Sequence, residues 1–443
     1  MLNNQININL KNIRSIKNAD IILNGITVIT GENGSGKSTI SKLLYNLLKT
    51  SINFDKIVDN KLRDELSHIN RTLDQLTREL SYFLDKDEYL KIRNSFRRFY
   101  RDETSLTFFE TDNATLSAIE FLIEAVNEIS NFQNRPQLQK RLDRIKRILG
   151  DSFYSEKIDE TTSIVELLER LKFLVNQSVK KSIKIKESRP ISVLDEILEE
   201  AFYDTPLKRT FNLFEYDVPI IDRSQKKLTP IHSIQNVAYI DTPMILGIDF
   251  YAERSHWEDI NELLNKKNTT KNFNDIDSIF KEEIIKGDVK VDDKEISDKT
   301  FVYRRNDGEE FNLLECATGL KSFAILQMLY KNGFLNDKTL LIIDEPEVHL
   351  HPQWVVEYAR LIVLLNKKTG AKFLIASHHP DMISALKYIS EKEETISNVL
   401  FYLAQRVEKT HQYDYINLGI EIEDIFSSFN IALERIDLYG STE

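Results

Sequence analysis

Short apolar runs typical of β-strands occur at both ends of the chain. "ADIIL" and "GITVIT" precede residue 31, and "NVAYI", "TLLIID", "KFLIAS" and "VLFYLA" follow residue 205. Between two of these runs, "HPQWVVEYARLIVLLNKKTG" has Pro352 near its start and Gly370 past its end, as expected of an α-helix. Strand, helix and strand in this order predict a parallel βαβ unit, so we expect an α/β fold.

The middle of the chain has a different pattern. Residues 51–200 contain one glycine, Gly150, and are rich in Leu, Glu, Lys and Arg, which predicts a series of helices. Within this region, apolar residues alternate at spacings of four and three: Leu62, Leu66, Ile69, Leu73, Leu76, Leu80 and Phe83. This stripe predicts an amphipathic helix packed inside a helical subdomain, with a free-standing coiled coil as the alternative. The predicted organisation is an α/β domain formed by residues 1–50 and 206–443, interrupted by a helical insertion at residues 51–205.

Composition and charge exclude several classes of protein. Of 443 residues, 41% are hydrophobic, enough for a packed core, and no apolar run is long enough to span a membrane. The net charge of −11 argues against a chain that coats nucleic acid or a membrane surface, so any DNA contact must come from local basic patches. The single cysteine, Cys316, rules out an intramolecular disulfide framework. We therefore expect a cytoplasmic protein.

A phosphate-binding loop is predicted directly after the run "GITVIT". The segment "GENGSGKST" fits the pattern G-x-x-x-x-G-K-[ST], follows a predicted strand and leads into the apolar helix "TISKLLYNLLK". Glycines let backbone N–H groups turn toward phosphates, and the helix N-terminus adds positive potential. Lys37 is expected to reach the β- and γ-phosphates of ATP, and Ser38 to coordinate Mg²⁺. The predicted nucleotide contacts in this segment are Asn33, Gly34, Ser35, Gly36, Lys37, Ser38 and Thr39.

Carboxylates follow the apolar run "TLLIID". Asp344 ends this run and Glu345 comes next, followed by Glu347, His349 and His351. Asp344 is expected to hold Mg²⁺, and Glu345 to orient and deprotonate the attacking water. The alternative is a metal site built from the nearby histidines. It is the weaker hypothesis because no cysteine lies near them and their spacing is not helical.

These motifs together resemble the ATP-binding-cassette (ABC) class of P-loop ATPases, and within it the soluble branch of SMC, RecF and OLD (overcoming lysogenisation defect) ATPases. His378, in "LIASHHP", resembles the switch histidine that senses the γ-phosphate in this class. "LKNIRSI" is similar to an Asn-aromatic-Arg element near the N-terminus, with Ile13 replacing the aromatic residue, which makes Arg14 a candidate nucleotide contact. Asp241, in "VAYIDTP", is a candidate for the position that transporters fill with glutamine. The resemblance implies an ABC-ATPase-like P-loop fold with a mixed β-sheet and a large helical insertion.

A further segment resembles the signature motif of this class. "ECATGLKSFAILQML" precedes "TLLIID", and Thr318 and Gly319 are expected to open a helix whose N-terminus would meet the γ-phosphate bound to a facing subunit. Leu320 and Lys321 depart from the transporter form Leu-Ser-Gly-Gly-Gln. "EPEVHLHPQ" resembles the OLD-type version of the D-loop, which implies that its histidines lie at a dimer interface. The implied assembly is a homodimer with ATP sandwiched between the two copies.

The resemblance implies an ATP-hydrolysing subunit of a bacterial anti-phage defence complex that controls a separate nuclease or toxin. The alternative is a RecF- or SMC-like DNA-binding ATPase of repair or recombination, in which "RNSFRRFYR" (93–101) and "KRLDRIKR" (140–147) would contact DNA phosphates. A solvated helix face is the simpler explanation of both basic clusters. A transporter ATPase is disfavoured because it would need a coupling surface for membrane subunits and a better signature motif. The predicted catalytic residues are Lys37, Glu345 and His378.

Overall fold

The computed structural model describes most of the chain, namely residues 6–80, 108–130, 136–151, 161–203, 210–241, 256–266, 275–292, 300–426 and 438–440. The chain divides into two units. The first is formed by Met1–Ile52 together with Pro190–Glu443, and the second by Asn53–Arg189. Two separated stretches of sequence therefore build the first unit, and the helical segment between them forms the second.

All strands of the described residues lie in the first unit. They are β1 (Ile6–Ile13), β2 (Ile16–Leu23), β3 (Ile26–Thr30), β4 (Phe211–Glu215), β5 (Val218–Pro219), β6 (Ile221–Asp222), β7 (Lys227–Leu228), β8 (Asn236–Ile240), β9 (Gly287–Asp292), β10 (Thr300–Arg305), β11 (Glu310–Asn312), β12 (Thr339–Asp344), β13 (Lys372–Ala376), β14 (Val399–Arg406) and β15 (Tyr413–Gly419). Among these, ten strands form one mixed sheet in the order β5-β4-β1-β2-β15-β14-β3-β13-β12-β8. This mixed sheet confirms the predicted α/β fold class.

The parallel part of the large sheet positions the candidate site. The neighbours β14, β3, β13, β12 and β8 all pair in parallel. Every residue of β3, β12 and β13 is buried, which explains why their sequences are continuous apolar runs rather than alternating ones. Because parallel strands end at the same edge, the segments that follow β3, β12 and β13 come together there.

The helices of the described residues are divided between the units. The first unit contains α1 (Lys37–Ile52), α6 (Ser192–Ala201), α7 (His256–Leu264), α8 (Asp275–Ser278, continued by a π-helical turn at Ile279–Ile284), α9 (Thr318–Lys331), α10 (Pro352–Thr369) and α11 (Pro380–Lys392), and the second contains α2 (Phe54–Leu80), α3 (Phe108–Ser130), α4 (Pro136–Asp151) and α5 (Ile164–Ser188). The predicted βαβ unit is β12–α10–β13. Its helix ends at Gly370, whose φ of +73° favours glycine. Among the described residues, none of these helices has the length and apolarity needed to cross a bilayer.

The boundary of the helical insertion differs from the expected one. The insertion was expected to reach residue 205, whereas the second unit ends at Arg189. The reason is that α6 packs against α1 of the first unit, with Leu194 and Leu198 buried. Local helix propensity could not distinguish a helix of the insertion from one that covers the α/β unit.

The predicted apolar stripe lies on α2 in the second unit. Leu62, Leu66, Leu73 and Leu76 are buried in one cluster with apolar residues of α3, α4 and α5. Ile69 is only partly buried at its edge. The stripe therefore packs inside a bundle of helices rather than in a two-stranded coiled coil. The last predicted position, Phe83, lies outside the described residues.

Candidate nucleotide-binding site

The phosphate loop connects β3 to α1 and is closely packed at two glycines. A Cβ atom on Gly31 would lie 2.6 Å from the Cβ of Ala404 on β14. Gly36 has a φ of +104°, and a Cβ atom there would lie 2.8 Å from Ile16 and 2.9 Å from Ser15. Both glycines of the motif are therefore required by the packing of the loop against neighbouring strands as well as by its turn.

Two tyrosines of β15 form hydrogen bonds with the phosphate loop. The Tyr415 hydroxyl donates a hydrogen bond to the backbone oxygen of Ser35 at 3.3 Å, and the Tyr413 hydroxyl donates to Glu32 at 3.4 Å. Burial raises the pKa of the Tyr415 phenol, so this side chain remains a neutral donor. Sequence reasoning missed both residues, although their alternation in "YDYINL" indicates a strand with one shared face.

Lys37 lies at the start of α1 and turns back toward the loop. Its ammonium group donates hydrogen bonds to the backbone oxygens of Gly31 at 2.9 Å and Glu32 at 3.1 Å. Only 5% of the residue is exposed, and burial lowers the pKa of the ammonium group. The nearby charges of Glu345 and Asp344 oppose this effect. A buried cation held by neutral carbonyls is poised to exchange them for anionic phosphate oxygens.

Asp344 ends β12 and is 6% exposed. The hydroxyl of Tyr239, on the neighbouring strand β8, donates to its Oδ2 at 3.3 Å. Burial raises the pKa of the Asp344 carboxyl to about 6, and the nearby Ser38 hydroxyl partly offsets this rise. The Oδ1 atom of Asp344 has no hydrogen-bond partner among the described residues. A buried carboxylate oxygen without a donor, beside a serine hydroxyl, suits a hard divalent cation such as Mg²⁺.

Glu345 and His378 lie side by side at the ends of β12 and β13. Glu345 has a φ of +49°, and its backbone N–H donates to the oxygen of Ala376 at 2.7 Å. This backbone conformation turns the side chain out of the strand, where 37% of it is exposed. The Nδ1 atom of His378 lies 3.5 Å from Oε1 of Glu345. The structure thus brings together the residues predicted to act as base and switch.

Glu347 was not among the predicted catalytic or binding residues, yet it lies in the same cluster. Its Oε1 atom accepts hydrogen bonds from the Ser377 hydroxyl at 2.8 Å and from the backbone N–H of His378 at 3.1 Å. The same oxygen lies 3.5 Å from His378 Nδ1. Sequence reasoning placed Glu347 in the D-loop-like segment but gave no signal of its pairing with β13, which is about thirty residues away along the chain and adjacent only in the sheet.

Arg14 lies in the turn between β1 and β2 with a φ of +51°. Its guanidinium group lies 4.8 Å from the centre of the Phe202 ring, a cation–π distance. The next residue, Ser15, is one of those packed against Gly36. Arg14 therefore borders the phosphate loop through its own turn. The Arg14 charge also helps to lower the pKa of Lys42, after burial as the main cause.

The remaining predicted nucleotide contacts lie along the loop and the first turn of α1. Asn33, Gly34 and Ser38 are exposed, Thr39 is half-buried, and Ser35 is buried. Gly34 has a φ of +82° with no atom close to a Cβ position, so its backbone shape alone favours glycine. The Ser35 N–H donates to the backbone oxygen of Glu32 at 3.2 Å, so the loop is closed by its own backbone.

Asp241 follows β8, next to Asp344 in the sheet order. Its Oδ1 accepts a hydrogen bond from the Trp257 indole at 2.7 Å and lies 3.0 Å from Nε2 of His256. Two side chains of α7 thus hold this carboxylate. The negative charge of Asp241 also raises the pKa of Lys42, but burial lowers that pKa more strongly.

The signature-like segment begins α9 at Thr318, where a helix was expected to open. A Cβ atom on Gly319 would lie 3.0 Å from Leu350 and 3.6 Å from the backbone oxygen of His349. The Lys321 ammonium donates to the backbone oxygen of Leu314 at 2.7 Å. The N-terminus of α9 therefore packs against the D-loop-like segment after Glu347.

Two of the histidines near the site, His351 and His379, cap helices. His351 precedes α10, and its Nδ1 accepts a hydrogen bond from the Gln353 N–H at 3.4 Å. His379 precedes α11 and caps it in the same way through Asp381 at 3.2 Å. His349 has a φ of +64°. Within the described parts of the chain, no group of three His, Cys, Asp or Glu side chains is arranged to hold a metal ion.

The fold and this site define a P-loop nucleotide-binding protein. The chain belongs to the AAA ATPase domain family, whose family model matches residues 6–383. This match confirms the predicted ATPase class, while the narrower OLD-like branch stays a prediction. No curated protein sequence matches the chain.

Several solved structures of SMC head domains are similar to the chain. The SMC head domain from Thermotoga maritima has 12% identity and a TM-score of 0.37, over 94% of this chain and 99% of that chain. A Smc head domain with a coiled coil and joint from Pyrococcus yayanosii has 11% identity and a TM-score of 0.38, over 97% of this chain and 100% of that chain.

Proposed function

We propose that this protein binds ATP with Mg²⁺ and hydrolyses it. The observation that carries the proposal is the Glu345–His378 pair, which lies beside the buried carboxylate of Asp344. The charges of Glu345 and Asp344 both act on the pKa of Lys37, so these four side chains share one edge of the sheet. A cation, a metal-binding carboxylate, an exposed base and an imidazole are the groups that phosphoryl transfer to water requires.

The binding half of the mechanism uses the phosphate loop. Its backbone N–H groups and the N-terminus of α1 surround the phosphates. The Lys37 ammonium leaves the carbonyls of Gly31 and Glu32 and neutralises charge on the β- and γ-phosphates. Ser38 and Asp344 would hold Mg²⁺, which supplies further charge neutralisation when it is bound.

The chemical half uses Glu345 and His378. The exposed carboxylate of Glu345 accepts a proton from a water molecule, whose oxygen forms a bond to the γ-phosphorus. The bond between that phosphorus and the β,γ-bridging oxygen breaks, and ADP leaves with the electron pair. In this mechanism His378, whose Nδ1 lies 3.5 Å from Glu345, hydrogen-bonds the γ-phosphate and holds the base in position.

The substitution Glu345→Gln tests this mechanism. Glutamine keeps the size of the side chain and removes its basicity, so we expect normal ATP binding and a loss of turnover of about 100-fold or more. Binding is measured with a fluorescent ATP analogue and turnover by phosphate release. The matched control is Glu408→Gln, an exposed residue of the β14–β15 turn. Turnover near the parent rate in the Glu345→Gln protein would assign the base to another residue.

We further propose that two copies close around ATP. Support comes from the N-terminus of α9, which begins at Thr318 without a side-chain cap and packs beside the D-loop-like segment. A helix N-terminus without a side-chain cap favours a phosphate, here the γ-phosphate held by the other copy. Sedimentation of the Glu345→Gln protein with ATP is expected to show a dimer. The Gly319→Arg variant, which blocks this helix end, should remain a monomer. A dimer that persists in that variant rejects the arrangement.

We propose an anti-phage role as the biological setting, in which the ATPase controls a separate nuclease or toxin. Support comes from the sequence "DEPEVHLHP", which resembles the OLD-type motif. Cells that carry the gene with its neighbouring reading frame are expected to survive phage challenge, and Glu345→Gln should abolish this protection. Equal survival of cells with either version, or with neither, rejects the role.

DNA binding is the second candidate, and one observation favours it. On α4 of the second unit, Lys140, Arg144 and Arg147 are exposed at spacings of four and three residues and share one face. Glu79 neutralises part of this patch, since its carboxylate lies 3.2 Å from Arg144. The other basic cluster, residues 93–101, lies outside the described residues. Salt-dependent DNA binding that weakens when Arg144 and Arg147 are replaced by Glu would support this candidate.

A further inference from the structure

Glu347 is a buried carboxylate whose interactions cross-link two strand ends. It follows β12 in the chain, and its Oε1 atom accepts hydrogen bonds from Ser377 and from the backbone N–H of His378 after β13. Ser377 is itself fully buried, and its backbone N–H donates to Ile29 of β3 at 3.1 Å. The Ser377 hydroxyl also accepts a hydrogen bond from the His379 N–H at 3.1 Å. The Glu347 carboxylate thus holds the backbone of Ser377 and His378 in place.

The imidazole of His378 lies between two carboxylates. Its Nδ1 atom is 3.5 Å from Oε1 of Glu345 and 3.5 Å from Oε1 of Glu347. The two carboxylates differ in environment, because Glu345 is 37% exposed on its side chain and Glu347 only 4%. The exposed carboxylate can move toward water, whereas the buried one cannot leave its partners without losing hydrogen bonds in a dry environment.

The hydrogen bonds to the Oε1 atom of Glu347 compensate only one of its two carboxylate oxygens. Its Oε2 atom is buried and has no hydrogen-bond partner among the described residues. Burial of an ionised carboxylate is costly unless nearby cations or donors compensate. The Lys37 ammonium is close enough for Glu347 to affect its pKa. The His378 ring is the second group beside Glu347 that could donate a hydrogen bond to it.

We propose that Glu347 is a positioning residue for ATP hydrolysis, which holds His378 by its backbone and ring so that the imidazole stays beside Glu345. In this arrangement the Nδ1 atom of His378 carries the proton and faces the two carboxylates. The two carboxylates favour a second proton on the ring, and the Nε2–H is then left to donate a hydrogen bond to the γ-phosphate. The proposal rests on the proposed ATPase activity. In it Glu347 does not contact ATP but acts by keeping His378 in position.

The experiment compares Glu347→Ala and Glu347→Gln with the parent protein. Glutamine keeps an acceptor oxygen for Ser377 and for the His378 N–H, whereas alanine removes it. We expect Glu347→Ala to lower kcat by about 10- to 100-fold with the KM for ATP changed by less than about twofold, because misplacement affects the reacting groups and not phosphate binding. Glu347→Gln should recover part of the loss. The control Glu391→Gln, an exposed residue of α11, should leave kcat unchanged.

A double-mutant cycle separates positioning from an independent contribution. If Glu347 acts through His378, Glu347→Ala should lower kcat by less than about twofold when His378 is already alanine. Losses that multiply in the double variant overturn the proposal. Thermal unfolding of each variant identifies any that fail to fold, and in that case Ser377→Ala, which removes one donor to Glu347, replaces Glu347→Ala in the cycle.

A second readout does not depend on turnover. In ¹⁵N-histidine-labelled protein without nucleotide, the His378 signal is assigned by its disappearance in His378→Ala. We expect the Nδ1 shift to indicate a protonated nitrogen in the parent and to change in Glu347→Ala, but not in Glu391→Gln. An unchanged His378 signal overturns the proposal even if the parent hydrolyses ATP. A parent without ATPase activity, but with the expected shifts, would reject the proposed function and leave the positioning by Glu347 intact.

Discussion

The buried carboxylate of Asp344 leads to a prediction about stability as well as activity. Burial raises its pKa from the ordinary value of 3.8 to about 6 in the folded protein. Because the folded-state pKa lies above the unfolded one, the protonated form stabilises the fold. This stabilisation is present in full below about pH 3.8 and is lost as the pH rises through about 6. At neutral pH and without Mg²⁺, the ionised Asp344 therefore destabilises the fold.

The substitution Asp344→Asn removes this cost while keeping the shape of the side chain and an acceptor for Tyr239. The difference between the two pKa values corresponds to at most about 3 kcal/mol of unfolding free energy at pH 7.5. At pH 4.5 the same difference shrinks to about 1 kcal/mol, because the carboxyl is then largely protonated in the folded state. We therefore expect Asp344→Asn to raise the Tm at pH 7.5, by on the order of 5 °C, and to raise it less at pH 4.5.

Thermal unfolding in EDTA at both pH values measures the effect, with exposed Asp20→Asn as the control. Addition of ATP and Mg²⁺ should raise the Tm of the parent, because a ligand that binds only the folded state stabilises it, and should raise that of Asp344→Asn far less. A Tm of Asp344→Asn at or below the parent value at pH 7.5 would refute the reasoning. It would mean that Ser38 and Tyr239 fully compensate the buried charge.

Two further predictions concern the loop and one helix cap. In Gly36→Ala, the new Cβ would lie 2.8 Å from Ile16 on a residue whose φ is +104°. The resulting strain of about 1–3 kcal/mol should weaken ATP binding at least about fivefold. Gly34→Ala should weaken it less, because no atom lies close to that Cβ position. Equal Kd values for the two variants would contradict the steric argument. His351→Ala removes the side-chain acceptor at the start of α10 and should lower the free energy of unfolding by about 1 kcal/mol, measured by urea denaturation, while kcat changes little. An unchanged urea midpoint would show that the cap contributes nothing.

The sequence alone predicted the elements whose signals are local. The glycines and Lys37 of the phosphate loop lie within a few residues of each other, and "TLLIID" is apolar because β12 is buried on both faces. Such patterns depend on the requirements of neighbouring residues in the chain, namely backbone shape and strand burial. For this reason β12–α10–β13 and the position of Asp344 at a strand end could be predicted.

Other features depend on which segments become neighbours in the sheet. The tyrosines of β15 reach the phosphate loop only because β15 lies next to β14 in the strand order. Helix α6 belongs to the α/β unit because it packs on α1, which its own amphipathic pattern could not indicate. No local pattern encodes such a choice of neighbour, since hydrogen bonding between strands is the same for any pair of suitable segments.

The sequence by itself was enough to predict a phosphate loop and a strand that ends at Asp344 and is followed by Glu345. Only the tertiary structure decided that Glu347 would bind Ser377 and His378, and so place the imidazole 3.5 Å from both carboxylates. The physical reason is that the sequence of a strand shows which of its faces are buried, but not which strand lies beside it. The parallel register of β12 and β13 determines which side chains come into contact after the two strands end.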